Sequence, residues 1–433
     1  MSVVIKYKNS TIADVDDSCT KILKTRGTYC DDDIIVKYIK QTITEISTDD
    51  DMNAVLVSEN AGKIYKFTGV SGTYVNGDLY IVEGVMQNSS YVFLHYGYED
   101  YSNYLCFTAE EVDSTISMSV DGTPTKGQAF EISIDGETWS AFIPGVTDIT
   151  LSNVGDKVYF RGDNTTVNES TSTYYAFVMT GKISASGNVM SLLDKTCQSK
   201  VILNDSCYYN MFHGCTSLTT APELPATSLA SSCYNSMFRG CTSLTTAPEL
   251  PATAAPSSCY NSMFHDCKSL TTAPALPATA LTTSCYNSMF RGCTSLTTAP
   301  ALPATSLASN CYKSMFYGCA SLTTASALPA TRLANSCYEE MFRGCTSLTT
   351  APELPATRLA SNCYKSMFYG CRSLQIYSSS GTGHEQAWPI PTKGTASSYK
   401  WQNMMFYSCP GDYINSSSVT LNETFYTQNA PVK

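Results

Sequence analysis

The chain has 433 residues, 43% of them hydrophobic and 15% charged, which is too long for one core and suits about two to four folding units. A net charge of −10 argues against nucleic acid or anionic lipid as the main partner. No run of about 18 apolar residues predicts membrane insertion, and the start, Met1-Ser2-Val3-Val4-Ile5-Lys6-Tyr7-Lys8, has no apolar core of signal-peptide length. Export by the usual secretory route is therefore not expected.

Residues 1–45 read as a small β unit, with strand-like runs at Val3-Val4-Ile5-Lys6-Tyr7 and Ile34-Ile35-Val36-Lys37-Tyr38. Asp31-Asp32-Asp33 precedes the second run. Three carboxylates can build a calcium site, but a solvated turn before a strand is the plainer reading, and no metal or cofactor is predicted. Residues 46–87 read as a β-meander. Gly62 to Thr68 is one strand, Asn76-Gly77 is a hairpin-turn dipeptide, and Asp78 to Val82 is the return strand. Residues 88–185 carry short runs at Tyr91–Leu94, Tyr104–Phe107, Phe130–Ile134 and Lys157–Phe160, punctuated by Asp135-Gly136 and Gly155-Asp156. Such spacing predicts a β-sandwich, with Trp139 packing in its core or rim.

Residues 186–410 are built on a repeat. A first Cys recurs at 207, 233, 259, 285, 311, 337 and 363, a step of 26 residues without insertion. A fixed period of this length predicts a solenoid of stacked coils. Gly187 to Leu193 is expected to start a capping coil. After Cys371 the register breaks at Ser378-Ser379-Ser380-Gly381-Thr382-Gly383, and a degenerate last coil follows, with Trp401 where the first Cys should stand and Cys409 as its second. Residues 411–433 read as a polar tail.

Fourteen of the 19 cysteines belong to the seven full repeats. In a helical segment, two positions eight apart lie about 12 Å apart along the axis, beyond disulfide reach. That leaves bridges between neighbouring coils or, the favoured reading, a ladder of buried thiols acting as small hydrophobes.

Projected on a helical wheel, Cys233, Tyr234, Met237, Phe238 and Cys241 share one face, and Asn235, Ser236 and Arg239 the other. The charges Lys313, Glu339, Glu340 and Lys365 are expected on the outer side; Asp266, replacing a Gly beside the second Cys, is the exception. In the second half of the coil, Leu244, Thr246 and Leu250 sit at even offsets, as inward residues of a short strand do. Pro248 and Pro251 exclude a long strand, and Leu229 should point inward. Stacking at about 4.8 Å predicts a rod roughly 40 Å long for eight coils.

Met-Phe-x-Gly-Cys-x-Ser-Leu-Thr-x-Ala-Pro-x-Leu-Pro-Ala-Thr, carried by Met237, Phe238, Gly240, Cys241, Ser243, Leu244, Pro248, Leu250 and Pro251, resembles the leucine-rich-repeat-like units of the BspA-like and mycoplasma-lipoprotein type. These occur in bacterial surface proteins and in bacteriophage proteins, and share no catalytic residues. At the front, Leu23 to Val36 (Leu-Lys-Thr-Arg-Gly-Thr-Tyr-Cys-Asp-Asp-Asp-Ile-Ile-Val) looks like a segment of tailed-phage structural proteins. Met52 to Gly69, with Tyr74 to Tyr80, resembles N-terminal pieces of phage fibre and virion proteins. The resemblance implies attachment to a particle. The fold class expected is mainly β N-terminal modules (small anchor, β-meander, β-sandwich) followed by an α/β leucine-rich-repeat-like solenoid of 26-residue coils.

One column varies in type while staying large. The residue after Met-Phe is His213, Arg239, His265, Arg291, Tyr317, Arg343, Tyr369 and, in the cap, Tyr407. Aromatic and Arg side chains stack on sugars and form directed hydrogen bonds, so this column is the candidate contact with a host-surface glycan or protein; an ordinary solvated face is the alternative. His213 and His265 each stand two residues before a Cys, but outward while the Cys point inward, which disfavours metal. His384-Glu385 lacks a second His at ligand spacing. No nucleophile elbow, phosphate loop or paired-carboxylate motif occurs, and an enzyme is not expected. The function expected is that of a structural phage virion protein, a capsid-attached head fibre or decoration, assembled in the host cytoplasm. It would be anchored to capsid or other virion proteins by residues 1–45 and self-associated as a homodimer or homotrimer. A tail fibre, a receptor-binding protein and a bacterial cell-surface adhesin are the alternatives.

Overall fold

The computed structural model describes residues 103–125, 127–136, 138–389, 404–411 and 424–432 in full, and before residue 103 the backbone of nine strands. The chain divides into two units, Met1–Tyr101 and Ser102–Lys433.

In the first unit, β1 (Val3–Tyr7), β2 (Ser10–Val15) and β3 (Ile22–Thr25) form one antiparallel sheet. A second holds β5 (Ile43–Asp49), β6 (Asn53–Ser58) and β7 (Ile64–Lys66). The third has β9 (Ser89–Tyr96) between β4 (Ile34–Lys37) and β8 (Leu79–Met86). Two expectations change. The strands either side of Asn76-Gly77 belong to different sheets, so they are not hairpin partners. Residues 91–94, assigned to the sandwich, lie in β9, which pairs with β8 along all eight residues, Leu79↔Tyr96 to Met86↔Ser89. Alternation identifies a strand but not its partner, and full-length register decides this one. Asn76-Gly77 and the three-aspartate run lie outside the described residues.

The second unit opens with two sheets. One has the order β13 (Ser140–Phe142), β12 (Phe130–Ser133), β15 (Lys157–Gly162), β10 (Leu105–Ala109), β17 (Ile183–Ser186). The other is β14 (Ile149–Leu151), β11 (Ser114–Asp121), β16 (Tyr174–Thr180). Inward residues alternate as a half-buried strand requires: Ile116 and Met118 on β11, Val158 and Phe160 on β15, all fully buried. Phe107 packs edge-on against Phe160 and Phe177, with ring centroids 5.5 and 4.9 Å away. Trp139 sits at the rim, edge-on to Tyr104 at 5.2 Å and covered by Arg161.

Both sheets continue into the first coil. β17 pairs in parallel with β18 (Leu218–Thr220). On the other wall, the Phe177 N–H donates to the Met211 carbonyl at 2.8 Å, and the Phe177 ring lies flat on Phe212, 5.2 Å between centroids at 13°. The expected capping coil at Gly187 is a single buried 3₁₀ turn, Val189–Leu192, in which the Met190 N–H donates to the Asn188 side chain and the Val189 N–H to the Glu223 carbonyl. The sandwich itself closes the end of the repeats. Their apolar residues form one continuous core.

From there the chain runs coil on coil. Thr220↔Thr246↔Thr272↔Thr298↔Thr324↔Thr350 form a line of parallel bridges at the 26-residue step. The expected helix at Cys233–Cys241 is absent, and the α/β description gives way to a helix-poor one. Instead the segment is a run of tight turns. Ser232, Ser236 and Gly240 take φ of 55°, 56° and 77°, four residues apart. Alternate N–H groups point in two directions. Those of Asn235, Met237, Arg239 and Cys241 close turns to the carbonyl three residues back; those of Tyr234, Ser236, Phe238 and Gly240 cross to the next coil. The eight backbone donors from Tyr234 to Cys241 are thereby engaged. The physical reason is spacing. The stacked Phe rings of adjacent coils are 5.2–5.8 Å apart, and an α-helix is about 10–12 Å across.

The inward set is nevertheless the one the wheel picks: Cys233, Tyr234, Met237, Phe238 and Cys241 are all buried. A period of four with two large side chains in selects the same apolar residues as 3.6 over nine positions, but Ser236, expected outside, is 6% exposed, because its positive-φ turn tucks the small side chain between coils. Leu244 and Leu250 are buried and Leu229 packs partly against them, but Thr246 is exposed, because the strand there is one bridge long. Glu339 also departs from expectation. It is 5% exposed, held between Lys313 at 3.1 Å and Lys365 at 2.9 Å, one from each neighbouring coil. Two ammonium groups make the burial of that carboxylate tolerable.

At the far end, Met405, Phe406 and Cys409 extend the core; Trp401 is outside the described residues. The segment read as a polar tail contains β22 (Thr424–Thr427), antiparallel to β21 (Gln386–Pro389). Phe425 and Trp388 there are fully buried, and Val432 exchanges hydrogen bonds with Ala351 and Glu353. The apolar residues that close the stack are thus split between the inserted loop and the last ten residues.

Candidate functional site

The column after each Phe projects outward, as expected. His213 and Arg239 are exposed; His265, Arg291, Tyr317, Arg343, Tyr369 and Tyr407 are half-buried. Their backbones are tied. The carbonyls of Arg239, His265, Arg291, Tyr317, Arg343, Tyr369 and Tyr407 each accept an N–H from the preceding coil, as from Gly240 to His265 at 2.8 Å. The glycine beside the column has φ near 75°, a region that admits Gly freely. Asp266 takes the same conformation at 61°, which Asp tolerates better than most residues.

Side chains of neighbouring coils then stack. The Arg291 guanidinium lies 4.3 Å from the Tyr317 ring centre, and Arg343 lies 5.4 Å from it, one from the coil before and one from the coil after. Arg343 also lies 4.3 Å from Tyr369, and Tyr369 stacks on Tyr407 at 4.9 Å and 20°. Each such contact is worth about 0.5–1 kcal/mol at exposed sites. The structure therefore brings Arg291, Tyr317, Arg343, Tyr369 and Tyr407 into one ladder. His213, Arg239 and His265 continue the line without ring contacts to it.

Two acids modify the ridge. Glu340 accepts from Arg343 at 2.5 Å, and Asp266 lies 3.5 Å from the His265 imidazole. Burial pushes the His213 pKa down, helped by Arg239. His265 is also lowered, by burial and by Arg239 and Arg291, against the opposing pull of Asp266. Both shifts favour the neutral imidazole, and the permanent positive charge on the ridge belongs to the arginines. Among the described residues no group of three His, Cys, Asp or Glu is placed to hold a metal ion. His384 stacks on Tyr377 at 3.8 Å.

Sequence reasoning found the column but not its internal contacts. It treated the rings as free faces, whereas a spacing near 5.5 Å makes each residue the stacking partner of the next. The alternation of Arg and Tyr from 291 to 369 was the available signal. A polar cavity of about 500 Å³ between sandwich and first coil, lined by Thr125, Asn168, Glu169, Asn204 and Asp205, was not foreseen. Its groups are engaged within the chain: Asn168 donates to Tyr209, Asn204 to Thr165, and Asp205 accepts from Ser231.

Residues 205–349 and 257–382 match the family model of the BspA type leucine rich repeat region, in six copies. The repeat segment is similar to the BspA-type leucine-rich repeat. No curated protein and no solved structure matches the chain. A BspA-type repeat region is consistent with a surface-adhesion or binding role, and the repeats here expose one outward column of large polar side chains on a rigid backbone.

Proposed function

We propose that this chain is a structural display protein of a tailed-phage particle, a capsid-attached head fibre. Residues 1–45 anchor it to capsid or other virion proteins, the chain self-associates as a dimer or trimer, and the repeat solenoid faces the host surface. The observation that carries the binding part is the in-register ridge from His213 to Tyr407, with backbone fixed coil by coil and guanidinium groups facing outward. The particle assignment rests on the likeness of residues 23–36 and 52–80 to phage structural segments. Mass spectrometry of purified particles tests it: the chain is expected among the virion proteins, and its absence would sink the assignment. Deleting residues 1–87 should abolish particle association while leaving the repeats folded; retained association would place the anchor elsewhere.

The second reading is a tail fibre or a bacterial surface adhesin carrying the same repeats. The repeat-family match favours it equally, and immunogold labelling of particles and of bacterial cells separates the two.

A further inference from the structure

We propose that the ridge recognises a linear polysaccharide bearing one anionic group on every second sugar, through guanidinium edges and not through aromatic faces. The proposal rests on the binding role proposed above and names its ligand.

Ring faces are the usual platform for neutral sugars, because the apolar side of a pyranose packs on them. Here the face of Tyr317 is covered from both sides by Arg291 and Arg343, and Tyr369 lies between Arg343 and Tyr407. What remains outward is the perimeter: N–H groups of the guanidinium forks and phenolic hydroxyls. A guanidinium stacked on a ring is held in plane with its donors pointing away, ready for a carboxylate or sulfate.

The spacing selects a repeating ligand. Arg239, Arg291 and Arg343 occur in alternate coils. The Phe column immediately beside them advances 5.6 and 5.7 Å from Phe238 to Phe290, then 5.8 and 5.5 Å to Phe342. Adjacent arginines thus leave the backbone about 11 Å apart, a stacked-coil repeat that matches the length of two sugar rings in an extended chain. Polymers charged at every sugar carry about two anionic groups per arginine and leave half of them without a guanidinium partner. Among the three, Arg343 is engaged by Glu340, and the Asp266 carboxylate beside His265 offsets part of the charge between the other two. Arg291, held on the Tyr317 ring, and the exposed Arg239, which has no ring partner among the described residues, are the principal contacts. Lys313 and Lys365, which flank the buried Glu339, add positive charge beside the ridge.

The test uses the full chain and three immobilised probes: hyaluronate, with one carboxylate per disaccharide; dextran, which is neutral; and polyglutamate, a polyanion without sugars. Hyaluronate should retain the chain, and added salt should weaken the retention. The double variant Arg239→Gln, Arg291→Gln should lose affinity at least about tenfold, while Arg332→Gln with Arg358→Gln, exposed elsewhere on the coils, should not. Tyr317→Leu should weaken binding less, since it frees the Arg291 guanidinium from its ring without removing it. Equal retention on dextran or on polyglutamate, or an unaffected ridge variant, overturns the proposal. Host-cell binding measured in parallel separates it from the binding role beneath it. Cells that take up wild type and ridge variant alike overturn the polysaccharide proposal alone; failure of the full chain to bind cells overturns the role itself.

Discussion

The thiol of Cys241 donates to the carbonyl oxygen of Phe212, in the preceding coil, at 3.0 Å, and the N–H of Cys215 reaches that same oxygen at 3.1 Å. The pattern repeats from Cys215, bonded to Phe177 of the sandwich, to Cys409, bonded to Phe368. The second cysteine of each coil is therefore a buried donor as well as a small apolar group. Cys293→Ala removes the donor to Phe264 and opens a small void, and should cost about 1–2 kcal/mol. Cys293→Ser keeps a donor and should cost less. Urea titration of both variants measures the order; equal midpoints would show that the thiol contributes volume alone.

Burial raises the pKa of the repeat thiols, to about 11 for Cys207 and about 12 for Cys215, Cys285 and Cys363. Thiolate is the reactive form, so all fourteen should resist an aromatic disulfide reagent at pH 8 in the folded chain and react together once it unfolds in urea. Stoichiometric reaction of the native repeats would contradict the packing.

Burial works to raise the Glu339 pKa, but hydrogen bonds from Lys365 and Ser336 and the Lys313 charge outweigh it and hold it below the ordinary value. A carboxylate titrating lower in the folded state contributes stability above its unfolded value of about 4.3, and that contribution is lost as pH falls through the folded value. Glu339→Gln should therefore cost about 1–2 kcal/mol at pH 7 and lose less stability than wild type between about pH 5 and about pH 3. Parallel melting curves across that range would refute a stabilising role for the triad.

Phe177 joins sandwich to stack, and its replacement acts on both. Phe177→Ala removes the ring that lies on Phe212 and should cost about 3–5 kcal/mol. Hydrogen exchange should rise in β16 and in the first coil, around Tyr208 to Cys215, before it rises near Cys363. Faster exchange confined to the sandwich would mean that the two parts fold independently.

Much of this was legible from residues alone, and the limits have physical causes. The 26-residue period and the inward set Cys, Tyr, Met, Phe, Cys follow from identity between repeats, and packing preserves them whatever the backbone does. The backbone itself was misread, because Ser232 and Ser236 gave no sign in one repeat that they adopt positive φ; Asn310 and Asn362, standing at the Ser232 position in other repeats, were the hint. Glu339 looked solvent-facing because its partners lie 26 residues away on either side, beyond the reach of local pattern. At the ridge the residue types were readable, but their mutual stacking depends on coil spacing, which only the fold supplies. The closing role of Phe425 was hidden by the polar residues around it.

The sandwich presents Phe177 and β17 to the first coil in the same way that each coil presents its Phe and Thr to the next. Residues 102–433 thus have a starting template and a finishing plug separated by interchangeable units. Loss or gain of one 26-residue unit leaves both ends able to engage, so the chain's reach changes in whole steps of one coil. The spacing of its outward side chains is a ruler graduated from the sandwich, and recombination between repeats that share the same inward residues can lengthen or shorten it without redesigning either terminus.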